Sequence, residues 1–259
     1  MNGYPSDLTV EQYEAIKNLL PKSSRLGRPC AWDFIIILNA ILYIVRSGCT
    51  WRMLPKDFPP WQTVYYHFNR LKKNGVWKKI HDELVCGVRE KNGRHPSPSA
   101  GIIDSQSVKT TETPGVRGYD AGKKIKGRKR HILVDTMGLI IAVLVHSAHI
   151  QDRDGAKLLL SKKIFKAFPR LQLIWADGGY AGKLVDWVKN TYGIVLEIVK
   201  RNTNVKGFHI LPRRWVVERT FGWLNRYRRL SKDYERHTDT SENMIYLAMI
   251  SLMVRRLSP

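Results

Sequence analysis

The chain of 259 residues carries 44 Lys+Arg against 22 Asp+Glu, a net charge of +22, with 43% apolar and 10% aromatic residues. That apolar share excludes global disorder and low complexity, and the length suits one mid-sized domain with a smaller one. The positive excess is spread along the chain, +7 over 1–100, +4 over 101–150, +4 over 151–200 and +7 over 201–259. The expected partner of such a body is a polyanion, nucleic acid ahead of an anionic membrane surface.

Cys30, Cys49 and Cys86 are odd in number, and their spacings of 19 and 37 fit neither a zinc module nor a disulfide framework, so reduced thiols are expected. The first sixteen residues, MNGYPSDLTVEQYEAI, lack a basic segment followed by an apolar one, and no signal peptide is expected. The longest apolar stretch, Ala31 to Val45, holds Asp33 and Asn39 and falls short of the ~20 residues that span a bilayer. A cytoplasmic protein without a membrane partner follows as the expectation.

Helices alone are predicted for the first ninety or so residues. Thr9 with Gln12 forms a capping box at the start of the first helix, and Pro21 ends it. After the basic linker PKSSRLGRP, an apolar helix begins near Trp32 and stops at Gly48. A third helix, about Trp61 to Asn74 with Gly75 behind it, repeats apolar residues at Trp61, Val64, Tyr65, Phe68 and Leu71. Its opposite face carries Gln62, Thr63, Tyr66, Asn69, Arg70 and Lys73. Gln62 and Asn69 suit adenine and Arg70 suits guanine in a major groove, although a solvated face reads the same way. A fourth helix near Val76–Glu90 completes a small bundle, with Trp32, Trp51, Trp61 and Trp77 expected in its core. The segment Asn92–Ser99, with two prolines, reads as a linker.

Strands follow. Gly101–Thr110, Arg130–Asp135 and Leu139–Ser147 are the first three, the last two joined by a turn at Asp135–Gly138. A helix over Asp152–Phe168, a strand at Leu171–Ala176, a helix at Lys183–Tyr192 and a strand at Ile194–Val199 come next. Pro212 opens a long helix to about Leu230, and Ser241–Leu257 is the last. Three strands and then alternation imply an α/β fold, a mixed five-stranded sheet with helices on both faces in the order of the ribonuclease-H-like fold. The expected division is 1–92, a small all-α module, and 93–259, the sheet domain.

Carboxylates at strand ends of so basic a chain invite a chemical reading. Asp104 interrupts an apolar strand, Asp177 ends another before Gly-Gly, and Glu218 lies in a helix among Arg213, Arg214 and Arg219. Phosphodiester chemistry uses two or three carboxylates to hold a metal pair about 3.5–4 Å apart. Each residue also has a plainer reading: a strand-end cap for Asp104, an Asx turn for Asp177, a helix ion pair with Arg214 for Glu218.

Asp104 in IIDSQSVKT, Asp177 in WADGGYAG and Glu218 in RRWVVERTFGWLNRYRRL resemble the catalytic triad of bacterial insertion-sequence DDE transposases, specifically the insertion sequence five group of the wider four/five superfamily. The resemblance runs through nearly all of 100–256, and residues 8–88 are similar to the helical module that precedes the catalytic domain in that group. It implies that Asp104, Asp177 and Glu218 coordinate two Mg²⁺ or Mn²⁺ ions. It further implies that the module at 1–92 binds the terminal inverted repeats. The implied reaction is cleavage at the element ends and transfer of 3′-hydroxyls into target DNA, with double-stranded DNA as partner and a homodimer in the synaptic complex. The location implied is the bacterial cytoplasm, at the nucleoid. A structure-specific nuclease on the same fold, and a DNA-binding regulator whose chemistry is dead, are the alternatives.

The superfamily signature around the glutamate is half kept: Arg214 holds the Arg place, but Leu211 stands for Tyr and Asn225 for Lys. Arg226 or Arg229 is expected to contact DNA phosphate instead, with Arg214 as a phosphate or hairpin-end contact. Lys123, Lys124, Lys126, Arg128, Lys129 and Arg130 put six cations in eight residues, which reads as a flexible clamp on the DNA backbone beside the site. His131, His146 and His149 read as structural rather than as zinc ligands, Asp135 as a turn residue, and Asp152 and Asp154 as helix N-terminal acids.

Overall fold

The computed structural model describes residues 3–21, 31–113, 115–199 and 213–258. Cys30, Leu211 and Pro212, and most of the basic linker, lie outside the described residues. The chain divides into two compact units: 1–94 with 226–231 and 243–259, and 95–225 with 232–242. The expected boundary at 92/93 falls beside the 94/95 junction, but 226–231 and 243–259 group with the helical unit rather than with the sheet.

In the first unit α1 (Val10–Lys17) starts on the Thr9–Gln12 capping box. α2 (Phe34–Ser47) ends at Gly48, whose φ of +76° is the left-handed conformation that a helix terminus needs. α3 (Trp61–Lys73) and α4 (Val76–Lys91) are joined through Gly75. Ile41, Ile44, Val64, Phe68, Leu71, Ile80 and Val85 are buried, as is Trp77, whose indole N–H donates to the Phe68 carbonyl at 3.2 Å. Trp77 alone of the four tryptophans is core; Trp51 and Trp61 are half-buried and Trp32 is exposed.

The second unit holds β1 (Ala100–Lys109), β2 (Gly118–Asp120), β3 (Ile125–Asp135), β4 (Ile140–Ser147), α5 (Asp152–Leu159), α6 (Lys162–Ala167), β5 (Leu173–Ala176), α7 (Lys183–Tyr192), β6 (Val195–Ile198) and α8 (Trp215–Asn225). The helix expected over 152–168 is broken, because Leu160 turns extended to bury its side chain and Ser161 opens α6. The sheet order is β4-β3-β1-β5-β6, with β2 continuing along the β4 side of β3. β1, β3 and β4 are antiparallel; β5 and β6 run parallel to β1. The expected mixed α/β sheet is present, with one short strand more than the five. One face, carrying Ile103, Leu133 and Ile174, packs on Ala156, Leu159, Leu184 and Val188.

β3 begins at Ile125, not Arg130, and this overturns the flexible clamp for half its cations. Arg128, Lys129 and Arg130 are buried within the strand. Arg128 is 3.0 Å from the Asp233 carboxylate and donates to the carbonyls of Val116, Glu235 and Arg236. Lys129 donates to the Ile150 carbonyl and pairs with Asp152 at 2.9 Å. Arg130 reaches the Lys232 carbonyl at 3.0 Å, and burial lowers its pKa to about 10. Gly127 lets β1 approach here, since a Cβ would collide with the Val108 carbonyl. Lys123, Lys124 and Lys126 remain exposed.

The helix expected from Pro212 to Leu230 stops at Asn225. Tyr227, Arg229 and Leu230 are buried in the helical unit, and Arg229 donates to the Cys49 carbonyl at 3.2 Å. That correction removes Arg229 from the DNA contacts; Arg226 stays exposed. α9 (Thr238–Leu257) closes the chain, its portion from Asn243 onward belonging to the helical unit. Among the described residues no helix is long and apolar enough to cross a membrane.

Removing Asp233 strands a buried guanidinium. Asp233→Ala should cost about 3–5 kcal/mol in urea unfolding. Arg128→Met combined with Asp233→Leu should recover more than half of that loss; a loss under about 1 kcal/mol for Asp233→Ala would show that the pair does not hold this corner together.

Candidate active site

β1 and β5 pair in parallel with Ile102 opposite Trp175. Continued two places, that register brings Asp104 alongside Asp177 on neighbouring strands about 4.8 Å apart. Asp177 follows β5 directly and accepts the Gly179 N–H at 2.8 Å through Oδ1, while Asp104 accepts the Ser105 N–H at 2.7 Å through Oδ1. The second oxygen of each faces the same group: one Arg214 guanidinium nitrogen lies 3.8 Å from Asp104 Oδ2 and 3.3 Å from Asp177 Oδ2. Burial, with the Asp177 charge beside it, pushes the Asp104 carboxyl up to about 6 against the pull of its backbone bond, Arg214 and Lys123.

Glu218 is the third expected acid. It stands one turn after Arg214 on α8, its N–H bonded back to the Arg214 carbonyl at 3.5 Å, with its side chain exposed. Asp104 and Asp177 are thus brought together and Glu218 is not joined to them: among the described residues no three His, Cys, Asp or Glu form a group able to hold a metal ion. α8 itself is fixed against the β3–β4 turn. Thr220 Oγ1 donates to the Gly138 carbonyl at 2.8 Å, and Arg219 donates to the Met137 carbonyl while lying between the rings of Trp215 and Trp223. Asn225 is the last residue of α8.

A polar layer on the other side of the strands fixes this end of the sheet, and its members were not legible as functional. Asp152 accepts from Ser105 Oγ at 2.7 Å and pairs with Lys129; burial opposes its ionisation, but those two bonds and the surrounding cations hold its carboxyl below the usual range. Lys123 Nζ donates to the Ser105 carbonyl at 2.9 Å. Three residues beyond Asp177, buried Tyr180 lies 2.7 Å from His131 Nε2, and His131 Nδ1 lies 3.3 Å from His146 Nε2. His146 Nδ1 faces the Ser147 carbonyl at 2.9 Å and must donate. The remaining protons follow: His131 Nδ1 donates to His146, and the Tyr180 hydroxyl donates to His131. Burial lowers the His131 pKa to about 3, consistent with a neutral ring. The histidines are structural, as expected. A cue was the tyrosine three places after Asp177; the strand register that joins it to His131 is not a local signal.

Of the expected DNA contacts, Arg214 is at the carboxylates, and Gln62, Asn69 and Arg70 line one groove along α3 with Trp61, Tyr65 and Tyr66. Asp135 accepts the N–H groups of Met137 and Leu139, the turn role foreseen for it.

A carboxylate pair formed by Asp104 within β1 and Asp177 just past β5, with an arginine against it on a basic sheet domain, is a donor set of the kind phosphodiester chemistry uses. Comparison with known proteins agrees. The family described as transposase DDE domain matches residues 95–253, and one described as transposase of the IS4/5 family matches residues 8–81. The chain belongs to the DDE transposase family, in its IS4/5 branch. A curated relative from Burkholderia cepacia, named as a transposase for insertion sequence element IS402, is 32% identical over 144 residues; the match covers 53% of this chain and 66% of the relative's length. No solved structure matches.

The carboxylate cluster can be titrated directly. In metal-free protein, carbon NMR should place the Asp104 carboxyl near 6. Arg214→Gln should move it up and Asp177→Asn should move it down; movement of both in one direction would contradict the arrangement.

Proposed function

We propose that the protein is a DNA transposase that cuts the ends of an insertion element and joins the freed 3′-hydroxyls to target DNA. The observation that carries the reading is the pair Asp104–Asp177 meeting at Arg214, within a chain of this family. The strand order β4-β3-β1-β5-β6 supports a ribonuclease-H-like domain. The donor set fits divalent ions: each aspartate has one oxygen held by a backbone N–H and the other turned to a cation, and Mg²⁺ or Mn²⁺ takes hard oxygen ligands. Asp104 and Asp177 would hold the metals, and Glu218, which is not grouped with them in this structure, is the proposed third ligand. Two such ions, when bound, supply activation of the attacking oxygen and stabilisation of the leaving one.

The residues do the rest. Asp104 and Asp177 must both be ionised to bind, so Asp104 gives up its proton on loading. Arg214, held by the carboxylates in the metal-free protein, is then available for a DNA phosphate. The α3 groove, where Gln62, Asn69 and Arg70 sit beside two exposed tyrosines, reads the inverted repeat, and residues 1–92 serve as its recognition module. Double-stranded DNA is the partner, and a homodimer holds both ends.

Two outcomes test this. With donor ends and target plasmid mixed, the wild type should give strand-transfer product. Asp104→Asn, Asp177→Asn and Glu218→Gln should each lose about a thousandfold or more in cleavage and joining while binding DNA normally. Nicked donor without joined product would favour a nuclease, and variants as active as the wild type would end the metal-site reading.

Loading also has a sign in pH. A carboxyl raised from 3.8 to about 6 binds its proton more tightly in the folded state. The stability it contributes is present below about 4 and lost as pH rises to about 6. Millimolar Mg²⁺ or Mn²⁺ should therefore raise the thermal midpoint above pH 6, do so little below pH 5, and do so at neither pH in Asp104→Asn. An equal rise at both pH values would contradict loading at Asp104.

A further inference from the structure

Two of the cations of 123–130 that escape burial join others in one groove. Lys109 at the end of β1, Arg117, Tyr119 on β2, and Lys124 and Lys126 line an open groove of about 480 Å³, with Glu112 the one acid lining it among the described residues. All six are exposed, Tyr119 by 55%. Tyr119 pairs directly with Lys126 across β2 and β3, so both stand on one face of the sheet. Asp104 pairs with Ile132, and alternation along β3 puts Ile132, Arg130, Arg128 and Lys126 on one face. Lys126 and Tyr119 therefore share the face that carries Asp104, and Lys109, five places after Asp104 on β1, comes to the groove from the strand's other face. Six residues of strand separate Lys126 from Ile132, about 20 Å, which spans about six base pairs of duplex.

The hairpin that presents these cations is braced. Buried Asp120 accepts the Lys123 N–H at 3.0 Å and the Ser107 hydroxyl at 2.5 Å, and lies 3.5 Å from Lys129. At its tip Lys124 holds φ of +54°, a left-handed conformation that glycine adopts without strain and lysine does not. A cation kept where glycine would be more stable points to a function for the charge.

Resting on the transposase reading, we infer that this groove is a phosphate rail: it grips the DNA backbone about six base pairs from the phosphate attacked at Asp104, without reading sequence. Lys124 and Lys126 contact phosphates, Lys109 and Arg117 add to the field, and Tyr119 packs its ring on the sugar edge.

The test uses the full chain and two duplexes of unrelated sequence, with affinity followed by anisotropy across a range of NaCl concentrations. Lys124→Gly should raise the thermal midpoint, because it relieves the backbone, and lower the slope of log affinity against log salt by about 0.9. Adding Lys126→Gln should bring the reduction to about 1.8, equally on both duplexes. Ethylation interference on a cleavage substrate should place the lost contacts about six base pairs from the cut. If the wild type binds both duplexes and the variants keep its slope, the rail is refuted and the transposase reading stands. A loss on one duplex only refutes it too, since the groove would then read bases. A wild type with no salt-dependent binding removes the DNA reading, and the rail falls with it.

Discussion

Two carboxylates held side by side, Asp104 within β1 and Asp177 just past the end of β5, repel when both are ionised, and the groups around them answer that repulsion. Parallel pairing of the first half of β1 with β5 sets Asp104 beside the end of β5, so the backbone itself enforces the proximity. Each aspartate has one oxygen held by a nearby N–H, and the second oxygen of each lies within 4 Å of the Arg214 guanidinium. In a protein with a net charge of +22 there is no shortage of cations to scatter among acids. Among the described residues Arg214 pairs with both, at 3.3 and 3.8 Å, distances longer than those of a tight bidentate contact. Burial, with the Asp177 charge beside it, outweighs the pull of so loose a contact and holds the Asp104 carboxyl up at about 6.

Solvation sorts the basic run at 123–130 into two jobs. On one face of β3, Arg128 and Arg130 are covered by the segment 232–241, whose carbonyls and Asp233 accept their N–H groups. Two places earlier on the same face, Lys126 lies beyond that cover and stays in water. Lys129 points to the opposite face, where Asp152 and Asp120 receive it. A buried arginine is tolerated only where its donors are met, so these residues are committed to the fold and cannot also reach DNA. Of the exposed lysines, Lys123 donates to the Ser105 carbonyl, while Lys124 and Lys126 line the open groove.

How much of this was legible follows the range of the signals. Capping at Thr9, the stops at Gly48 and Gly75, and the turn at Asp135 are decided within four or five residues, and the sequence pattern placed them well. The strand start at 125–129 reads as a flexible loop because the six cations of 123–130 look solvated; what meets the buried Arg128 is Asp233, 105 residues away. Asp104 and Asp177 stood out as acids against apolar strands in a basic chain. Tyr180, His131 and His146 did not, because their chain of hydrogen bonds depends on strand register and on α5 coming close enough for Gly155 to sit against both rings. Glu218 was legible as a residue and not as a position: helical spacing ties it to Arg214, but nothing local says how far its side chain stands from the aspartates.

The return of the chain's end to the helical unit follows from α9 itself. Met244 to Ile250 is buried without a break, and Met253 and Val254 with it, so this helix has no solvent face over that stretch. An amphipathic helix can lie on one neighbour, whereas one that is apolar all round must be covered from every side. Within the helical unit His81 packs its ring on Tyr246 at 4.8 Å, and the Ser258 carbonyl accepts from Gln12 at 2.9 Å, near the start of α1. First and last segments therefore complete one core, and residues 1–92 cannot be cut away without uncovering the apolar surface of 243–257.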